Sequence, residues 1–176
     1  DTDSDLNSFS ENTQDVFTQN NNQSNGFLID ENIIASYVKF TSNYDKWSFS
    51  GGLRWEKSTT KGTSKKPDET KSREISKLFP SASIGRKISE KIGANISYSY
   101  RIRRPSYNSL NSFVYYYDPY TFEEGNPNLK PAFTNSLQFG LTYDNQPFFS
   151  IGYRDTSDSL FELITQNDAT AETSRS

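Results

Sequence analysis

The segment 91–104, KIGANISYSYRIRR, alternates apolar and polar residues along its whole length. The apolar positions are Ile92, Ala94, Ile96, Tyr98, Tyr100 and Ile102. The intervening positions are Lys91, Gly93, Asn95, Ser97, Ser99, Arg101 and Arg103. Successive side chains of a β-strand point to opposite faces, so a period of two predicts one long strand whose two faces meet different surroundings.

The same alternation recurs along the chain and predicts an all-β protein with six long strands. They are roughly 27–43, 47–60, 77–88, 91–104, 132–143 and a last strand that starts near 147. Residue types that favour strands fill these segments, and no helical period competes with the alternation. Crossing the hydrocarbon of a bilayer takes about 9–11 tilted residues, whereas strands of soluble proteins are most often about 5–6 residues long. Each predicted strand is therefore long enough to span a membrane.

The predicted connections alternate between short and long. Short turns lie at about 44–46, 89–90 and 144–146, and long loops at about 61–76 and 105–131. An antiparallel up-and-down meander places all short turns at one end and both long loops at the other. Transmembrane β-barrels sort their connections in this way, with short periplasmic turns and long outer loops. We therefore predict that the meander is part of a transmembrane β-barrel.

Aromatic residues lie at both ends of the predicted strands. Beside the short turns stand Tyr44, Trp47, Tyr143 and Phe149, and at the opposite strand ends stand Trp55, Tyr100 and Phe133. Two aromatic belts at the membrane interfaces are typical of such barrels. Aromatic residues also make up 15% of the chain, while hydrophobic residues reach only 32%. This composition suits amphipathic strands better than a thick apolar core.

The composition also excludes several kinds of chemistry. The chain has no Cys and no His, so it can form neither a thiolate metal site nor a nucleophile paired with histidine. The net charge of -3 gives no basic field for binding nucleic acid. We therefore expect no enzyme, no catalytic residue, no metal site, no cofactor and no nucleic-acid partner.

Six strands are too few for a complete barrel, because single-chain outer-membrane barrels begin at roughly eight strands. An open sheet edge in lipid would leave backbone groups without partners. We therefore interpret 26–165 as a partial barrel, 1–25 as a polar loop or disordered segment, and 166–176 as a polar tail or loop. The first residues, DTDSDLNSFS, lack the basic and apolar parts of a signal peptide, so if the protein is exported we expect that its signal has been removed or lies upstream.

The stretch 103–134, RRPSYNSLNSFVYYYDPYTFEEGNPNLKPAFT, resembles the outer-membrane barrel region of TonB-dependent receptors of the Bacteroidetes lineage. Two further stretches, DKWSFSGGLRWE (45–56) and LFPSASIGRKI (78–88), resemble the same family, and the likeness covers about 27–165. The residues that match its signature are Arg101, Arg104, Pro105, Ser106, Tyr107, Asp118, Pro119, Tyr120, Gly125, Asn126, Pro127, Asn128, Leu129, Lys130 and Pro131. The chain departs from it at Ala132, where the family usually has Glu, and it contains no plug domain or energy-coupling box.

The resemblance implies an outer-membrane protein that takes up a bulky nutrient such as a glycan, a peptide or a metal chelate. Its partners would be outer-membrane lipid, the remaining barrel and plug of the same protein, and an energy-coupling protein. Two other hypotheses remain open. The chain could be a soluble or cell-surface β-sheet module that binds a ligand, or a purely structural barrel segment.

Candidate site residues fall in the long loop and on the polar strand faces. The best ligand candidates are the tyrosines of the aromatic run, Tyr115, Tyr116, Tyr117 and Tyr120. Tyrosine joins a flat apolar ring to a hydrogen-bonding hydroxyl. The alternative, which we favour, is that these rings pack the loop onto the barrel rim. Expected to face the lumen are Arg54, Asn95, Arg101, Arg103 and Gln138.

The arginines at the end of segment 91–104 have two possible roles. They could attract an anionic solute or outer-leaflet phosphate, or they could pair with carboxylates of the lumen or plug, which we favour. Arg104 is formally on the outer face, near the rim. An acidic cluster of Asp118, Glu123 and Glu124 could bind Ca²⁺, but it lacks the spacing of a calcium loop, and we favour solvated loop charge.

Overall fold

A computed structural model of the chain describes residues 2–6, 9–11, 17–19, 25–65, 68–111, 113–118, 120–167 and 172–175. The strands, in chain order, are β1 (Thr2–Leu6), β2 (Phe9–Glu11), β3 (Phe17–Gln19), β4 (Asn25–Tyr44), β5 (Trp47–Lys65), β6 (Asp68–Lys87), β7 (Ile92–Arg103), β8 (Val114–Asp118), β9 (Thr121–Glu124), β10 (Ala132–Tyr143), β11 (Gln146–Ser157), β12 (Ile164–Asn167) and β13 (Glu172–Arg175). One short helix, α1 (Tyr107–Leu110), lies between β7 and β8. Within the described ranges, no helix is long and apolar enough to cross a membrane.

The dominant element is a seven-stranded sheet with the order β1–β4–β5–β6–β7–β10–β11. All of its strand pairs are antiparallel. Its six long strands correspond to the six predicted from the alternation, so the prediction of an antiparallel meander of long strands is confirmed. The sheet does not close on itself, because β1 and β11 are its two edges.

The predicted loop at 61–76 was wrong, because β5 continues to Lys65 and β6 begins at Asp68. The two strands stay paired without a register shift from Trp47↔Arg86 to Lys65↔Asp68. Backbone hydrogen bonds hold such a hairpin whatever its side chains are, and cross-strand polar pairs add to it. Sequence alternation missed the extension because both of its faces are polar.

The hairpin of β5 and β6 is much longer than a membrane crossing requires. Nineteen residues of β5 span roughly 60 Å at about 3.3 Å per residue, against a hydrocarbon thickness of about 30 Å. Its distal half carries an ion pair between Lys57 and Glu74 at 2.8 Å and a Thr63–Thr70 hydroxyl contact at 3.3 Å. The outer connection between these strands is thus a projecting polar ribbon.

The three segments predicted as loops or tails also contain strands. In the predicted disordered segment 1–25, β1 pairs with β4 and β2 pairs with β3, while 12–16 and 20–24 lie outside the described residues. The predicted loop 105–131 holds α1, β8 and β9. In the predicted tail 166–176, β13 pairs with β9 in a second sheet of order β12–β13–β9–β8. These strands are too short to show a period of two in the sequence.

The short connections are where the sequence predicts them, between β4 and β5, between β6 and β7, and between β10 and β11. The turn between β10 and β11 has positive φ at both Asp144 and Asn145, at 50° and 63°. Two consecutive residues with positive φ are typical of a type I′ hairpin turn, which Asn and Asp tolerate better than other residues with a side chain. Asp45, in the first turn, has a φ of 51°.

The opposite faces predicted for segment 91–104 are confirmed. Cross-strand register places Ile96 of β7 between Ile84 of β6 and Phe139 of β10, on one face of the sheet. The neighbouring residue, Ser97, lies between Ser83 and Gln138, on the other face. The apolar face is open: among its exposed members are Phe40, Val38, Leu53, Ile84, Ile92, Ile96, Tyr98, Leu137 and Ile151.

The buried residues do not lie on that apolar face. They include Phe27, Ile29, Glu56, Ser58 and Ser64, which register places on the polar face of β4 and β5, toward the long connections. The two ends of the long loop, residues 104–110 and 126–131, lie against this end of the polar face. The compact part of the molecule is therefore at the outer end of the sheet, where a loop folds over the strands.

Candidate functional site

A charge network attaches the start of the long loop to the polar face. Glu56 of β5 is 1% exposed, and its two carboxylate oxygens accept hydrogen bonds from Arg54 and Arg104. The Arg104 guanidinium also lies 3.5 Å from the carboxylate of Glu31 on β4. The Tyr107 hydroxyl donates to the other Glu31 oxygen at 2.9 Å. The RRPSY segment is thus bound to two neighbouring strands.

Arg104 is the clearest correction to the sequence-based placement. It was expected on the outer face near the rim, but its guanidinium binds Glu56 and Glu31 on the polar face. The reason is that β7 ends at Arg103. Alternation fixes the side-chain direction only inside a strand, and the residue after the end is free to turn toward a carboxylate.

The far end of the loop is held to the hairpin. The Arg73 guanidinium of β6 donates to the carbonyl oxygens of Leu129 and Asn128, at 2.5 Å and 3.5 Å. The Asn126 side chain accepts from the Asn128 amide at 2.9 Å, and the Asn126 amide donates to the Ser109 carbonyl at 2.7 Å. The GNPN segment therefore folds back on α1 and is anchored to β6.

A cavity of about 440 Å³ lies between the loop and the outer part of β4, β5 and β6. Its lining includes Phe27, Ile29, Ile75, Leu110, Pro127 and Pro131. Three charged residues of the loop anchors, Glu31, Arg73 and Arg104, also line it. It is a mainly apolar space with a few polar groups, the usual make-up of a small-molecule pocket. The charged groups are engaged with one another or with loop carbonyls.

The phenol of Tyr107 is affected by this arrangement. Its hydrogen bond to Glu31 and the negative charge of that carboxylate raise the pKa of Tyr107 above its usual value, while Arg104 opposes the shift. Tyr107 can donate to Glu31 only while it is protonated. Since its pKa in the folded protein is raised, the bond contributes fully below the ordinary pKa of 10.0 and is lost as the pH rises through the raised value.

The four candidate tyrosines lie in the second sheet or beside it, and they do not share one face. Tyr115 and Tyr117 of β8 form a perpendicular ring pair with centroids 5.1 Å apart. Tyr116 packs instead against Phe122 of β9, at 5.6 Å. All four side chains are at least half exposed, with Tyr116 the least at 50% and Tyr120 the most at 58%. The tyrosine ligand site stays a prediction, and Tyr115 and Tyr117 are the two of the four candidates whose rings pack against each other.

The acidic cluster of the loop is engaged locally. The Asp118 carboxylate accepts from the Tyr120 amide at 2.7 Å, and this hydrogen bond is the main reason that the pKa of Asp118 is lowered. Glu123 accepts a hydrogen bond from the Tyr117 hydroxyl at 2.5 Å. Within the described ranges, no group of three or more acidic side chains could hold a metal ion.

The residues predicted to face the lumen share the polar face but not one position on it. Arg101, Arg103 and Gln138 line a second cavity, of about 610 Å³, on β7, β10 and β11. Asn95 lies nearer the short turns, where it pairs with Gly140. Arg54 is separate again, because it is bound to Glu56.

The sequence interpretation missed several residues that build these sites. They are Glu31, Glu56, Arg73 and Arg154, together with Tyr107, which was named only as a match to the family signature. Glu56 and Arg154 could have been predicted from the sequence, because each continues the polar face of its strand toward the outer end. Arg73 could not, because the segment around it was interpreted as a loop.

An antiparallel meander with an open apolar face, a polar opposite face and its folded-over loop at the outer end defines a membrane β-barrel class of protein. A family model described as "Outer membrane protein beta-barrel family" matches residues 1–176, and the chain belongs to this family. The protein is located in the bacterial outer membrane, which sets aside the soluble-module hypothesis. No curated protein and no solved structure matches the chain.

Proposed function

We propose that the chain is a segment of the β-barrel of a TonB-dependent receptor that imports a bulky nutrient. In this receptor it also serves as the scaffold for an outer loop. In this proposal it is not an enzyme. Its partners are outer-membrane lipid on the apolar face, a plug domain and further strands of the same protein, and an energy-coupling protein reached through that plug. The substrate is a glycan, a peptide or a metal chelate.

One observation supports the proposal most directly. The start of the long loop, residues 104–110, is held against the polar face rather than projecting freely, because Arg104 binds the buried Glu56 carboxylate, which Arg54 also contacts. A buried carboxylate is stable only with charged or hydrogen-bonding partners. A receptor for large solutes needs such a fixed outer surface on its lumenal side, whereas a barrel that only anchors the protein has no use for it. The signature resemblance of the same segment adds to the argument.

The test is genetic and uses the full-length protein in its host. A deletion strain is compared with its parent on defined media in which one class of bulky nutrient (glycan, peptide or iron chelate) is growth-limiting. We expect a defect on one class, reproduced when the energy-coupling protein is depleted, and no defect on a monosaccharide small enough to diffuse through general pores. A complemented strain serves as the control.

Two results would contradict the proposal. One is normal growth of the deletion strain on all three classes. The other is a growth defect that remains the same whether or not the energy-coupling protein is present. In a further measurement, a photoreactive amino acid placed in the full-length protein's periplasmic N-terminal region should crosslink to the energy-coupling protein.

A further inference from the structure

The second cavity is lined by an unusual concentration of positive charge. Arg101, Arg103 and Arg154 all line it, beside hydroxyl and amide side chains such as Ser136, Thr156 and Gln138. Within the described part of the chain, no ion pair joins any of these three arginines to a carboxylate. Guanidinium groups facing a polar cavity bind oxyanions strongly, often through two parallel hydrogen bonds.

Strand register places Arg101 and Arg154 near each other on the polar face. Arg101 of β7 pairs with Thr134 of β10, and Arg154 of β11 pairs with Ser136 of the same strand. All of these positions lie on the polar face. Arg101 and Arg154 are separated by two strand spacings across the sheet and by two residues along it. Their Cα atoms are therefore about 12 Å apart. Two long side chains can reach toward each other over such a distance, across the small residues of β10.

The residue opposite Arg103 in the sheet cannot neutralise the positive charge of this arginine. Arg103 pairs in register with Ala132, which is 3% exposed. A carboxylate at that position would point to the same side of the sheet as Arg103 and could pair with it. Alanine supplies no charge, so the strand neighbour of Arg103 does not neutralise the outermost arginine of the cavity.

We propose that this cavity is a binding site for an oligo-anionic solute, one that bears at least two carboxylate, phosphate or sulfate groups on a hydroxyl-rich body. The arginines bind the anionic groups, and the serine, threonine and glutamine side chains bind the hydroxyls. The inference rests on the proposed function, because it names the substrate class of the receptor. Outer-leaflet phosphate is the other source of the same chemistry, but lipid lies against the opposite, apolar face of the sheet.

The test is direct binding by calorimetry to the full-length, detergent-purified protein. The probes are tetragalacturonate, which has four carboxylates, and its fully methyl-esterified form, which has none. We expect the acid to bind, its affinity to fall as the ionic strength rises, and the ester to bind at least about tenfold more weakly. The variants Arg101→Gln and Arg154→Gln should each weaken binding of the acid by about tenfold, because each removes a charge-assisted hydrogen bond.

The matched control is Lys39→Gln, which removes one positive charge from the same face outside the cavity. It should leave binding unchanged, and Arg154→Lys should weaken binding less than Arg154→Gln. All variants must show the heat-modifiable gel migration of the wild type, so that lost binding cannot be ascribed to misfolding.

Three outcomes would overturn the inference. The first is equal binding of the acid and its ester, and the second is equal loss in Lys39→Gln and Arg154→Gln. The third is binding of purified lipopolysaccharide, but not of tetragalacturonate, with the same dependence on Arg101 and Arg154. Because calorimetry needs no energy coupling, binding that passes these tests would stand even if the growth experiments removed the transporter role.

Discussion

At the residue scale, the attachment of the long loop to the outer end of the sheet depends on one buried carboxylate, that of Glu56. Glu56 is the largest side chain among those that are almost completely buried, and its partners come from its own strand and from the long loop. Side-chain exposures of 50% for Arg54 and 25% for Arg104 show that both arginines still reach water. The carboxylate is therefore the member of the network that cannot be left without partners.

The change Glu56→Gln should loosen the loop. The amide keeps one acceptor oxygen but loses the negative charge and turns two donor hydrogens toward an arginine. We expect a loss of about 1–3 kcal/mol, measured as a lower midpoint of thermal unfolding by gel migration, with faster protease cleavage within 104–131. The control is Glu74→Gln, since the Lys57–Glu74 pair is exposed and surface pairs contribute little. Equal effects of the two changes would show that burial of Glu56 is unimportant.

The sequence predicted such contacts only in part. Arg101 and Arg103 were placed on the polar face correctly, because they lie within a strand whose alternation fixes their direction. The pairs made by Arg104 and Tyr107 with Glu31 join residues more than 70 positions apart in the chain. No local pattern encodes which distant carboxylate a loop arginine will meet, so these contacts become visible only in the folded chain.

At the element scale, the sequence predicted the long strands but did not predict the polar ribbon at the outer end of β5 and β6. The alternation predicts the ends of β7 and β10 to within a residue or two. It is strong there because one face of each strand is apolar, toward lipid, and the opposite face is polar. The distal half of β5 and β6 has no apolar face, and backbone pairing together with polar cross-strand contacts keeps it extended. A sequence period reports a contrast between the two faces of a strand, and it gives no signal where the side chains of both faces are mainly polar.

The two faces of β7 predict different responses to a charge. Ile96→Arg should cost about 2–4 kcal/mol, because it places a guanidinium on the lipid face near the middle of the strand. Ser97→Arg, one residue further on the polar face, should cost much less. Both are measured in the full-length protein as the fraction that folds into bilayers with heat-modifiable migration. Equal folding of the two variants would refute the assignment of faces.

The loop makes its own prediction at Gly125. A Cβ atom at this position would lie 2.2 Å from the Asn111 carbonyl oxygen and 2.7 Å from that of Asn108. Backbone atoms cannot move aside as a flexible side chain can, so Gly125→Ala should displace GNPN from α1 at a cost of roughly 1–3 kcal/mol. Proteolysis of the loop should accelerate, whereas Gly51→Ala should have no such effect, since nothing lies within 4 Å of its Cβ position. Unchanged proteolysis in Gly125→Ala would contradict the packing of this loop.

At the scale of the whole molecule, the sheet is open and has two edge strands. Among the residues that the structure describes, β1 and β11 each have a strand on one side only. Unpaired N–H and C=O groups within hydrocarbon cost several kcal/mol each, so a membrane sheet must close. The chain belongs to a barrel family, so we expect the outer side of β11 to be paired in the membrane.

Closure can be measured as amide hydrogen exchange in the full-length protein embedded in lipid. Along β11, alternate amides point toward β10 and away from it, because the N–H groups of a strand alternate in direction. If a further strand pairs with the outer side, both sets should be protected as strongly as the amides of β10, which has neighbours on both sides. If β11 were a permanent edge, the outward set would exchange much faster in any part that water reaches. Protection of both sets, lost together on heating with the change in gel migration, would show that β11 is an interior strand of one cooperative barrel.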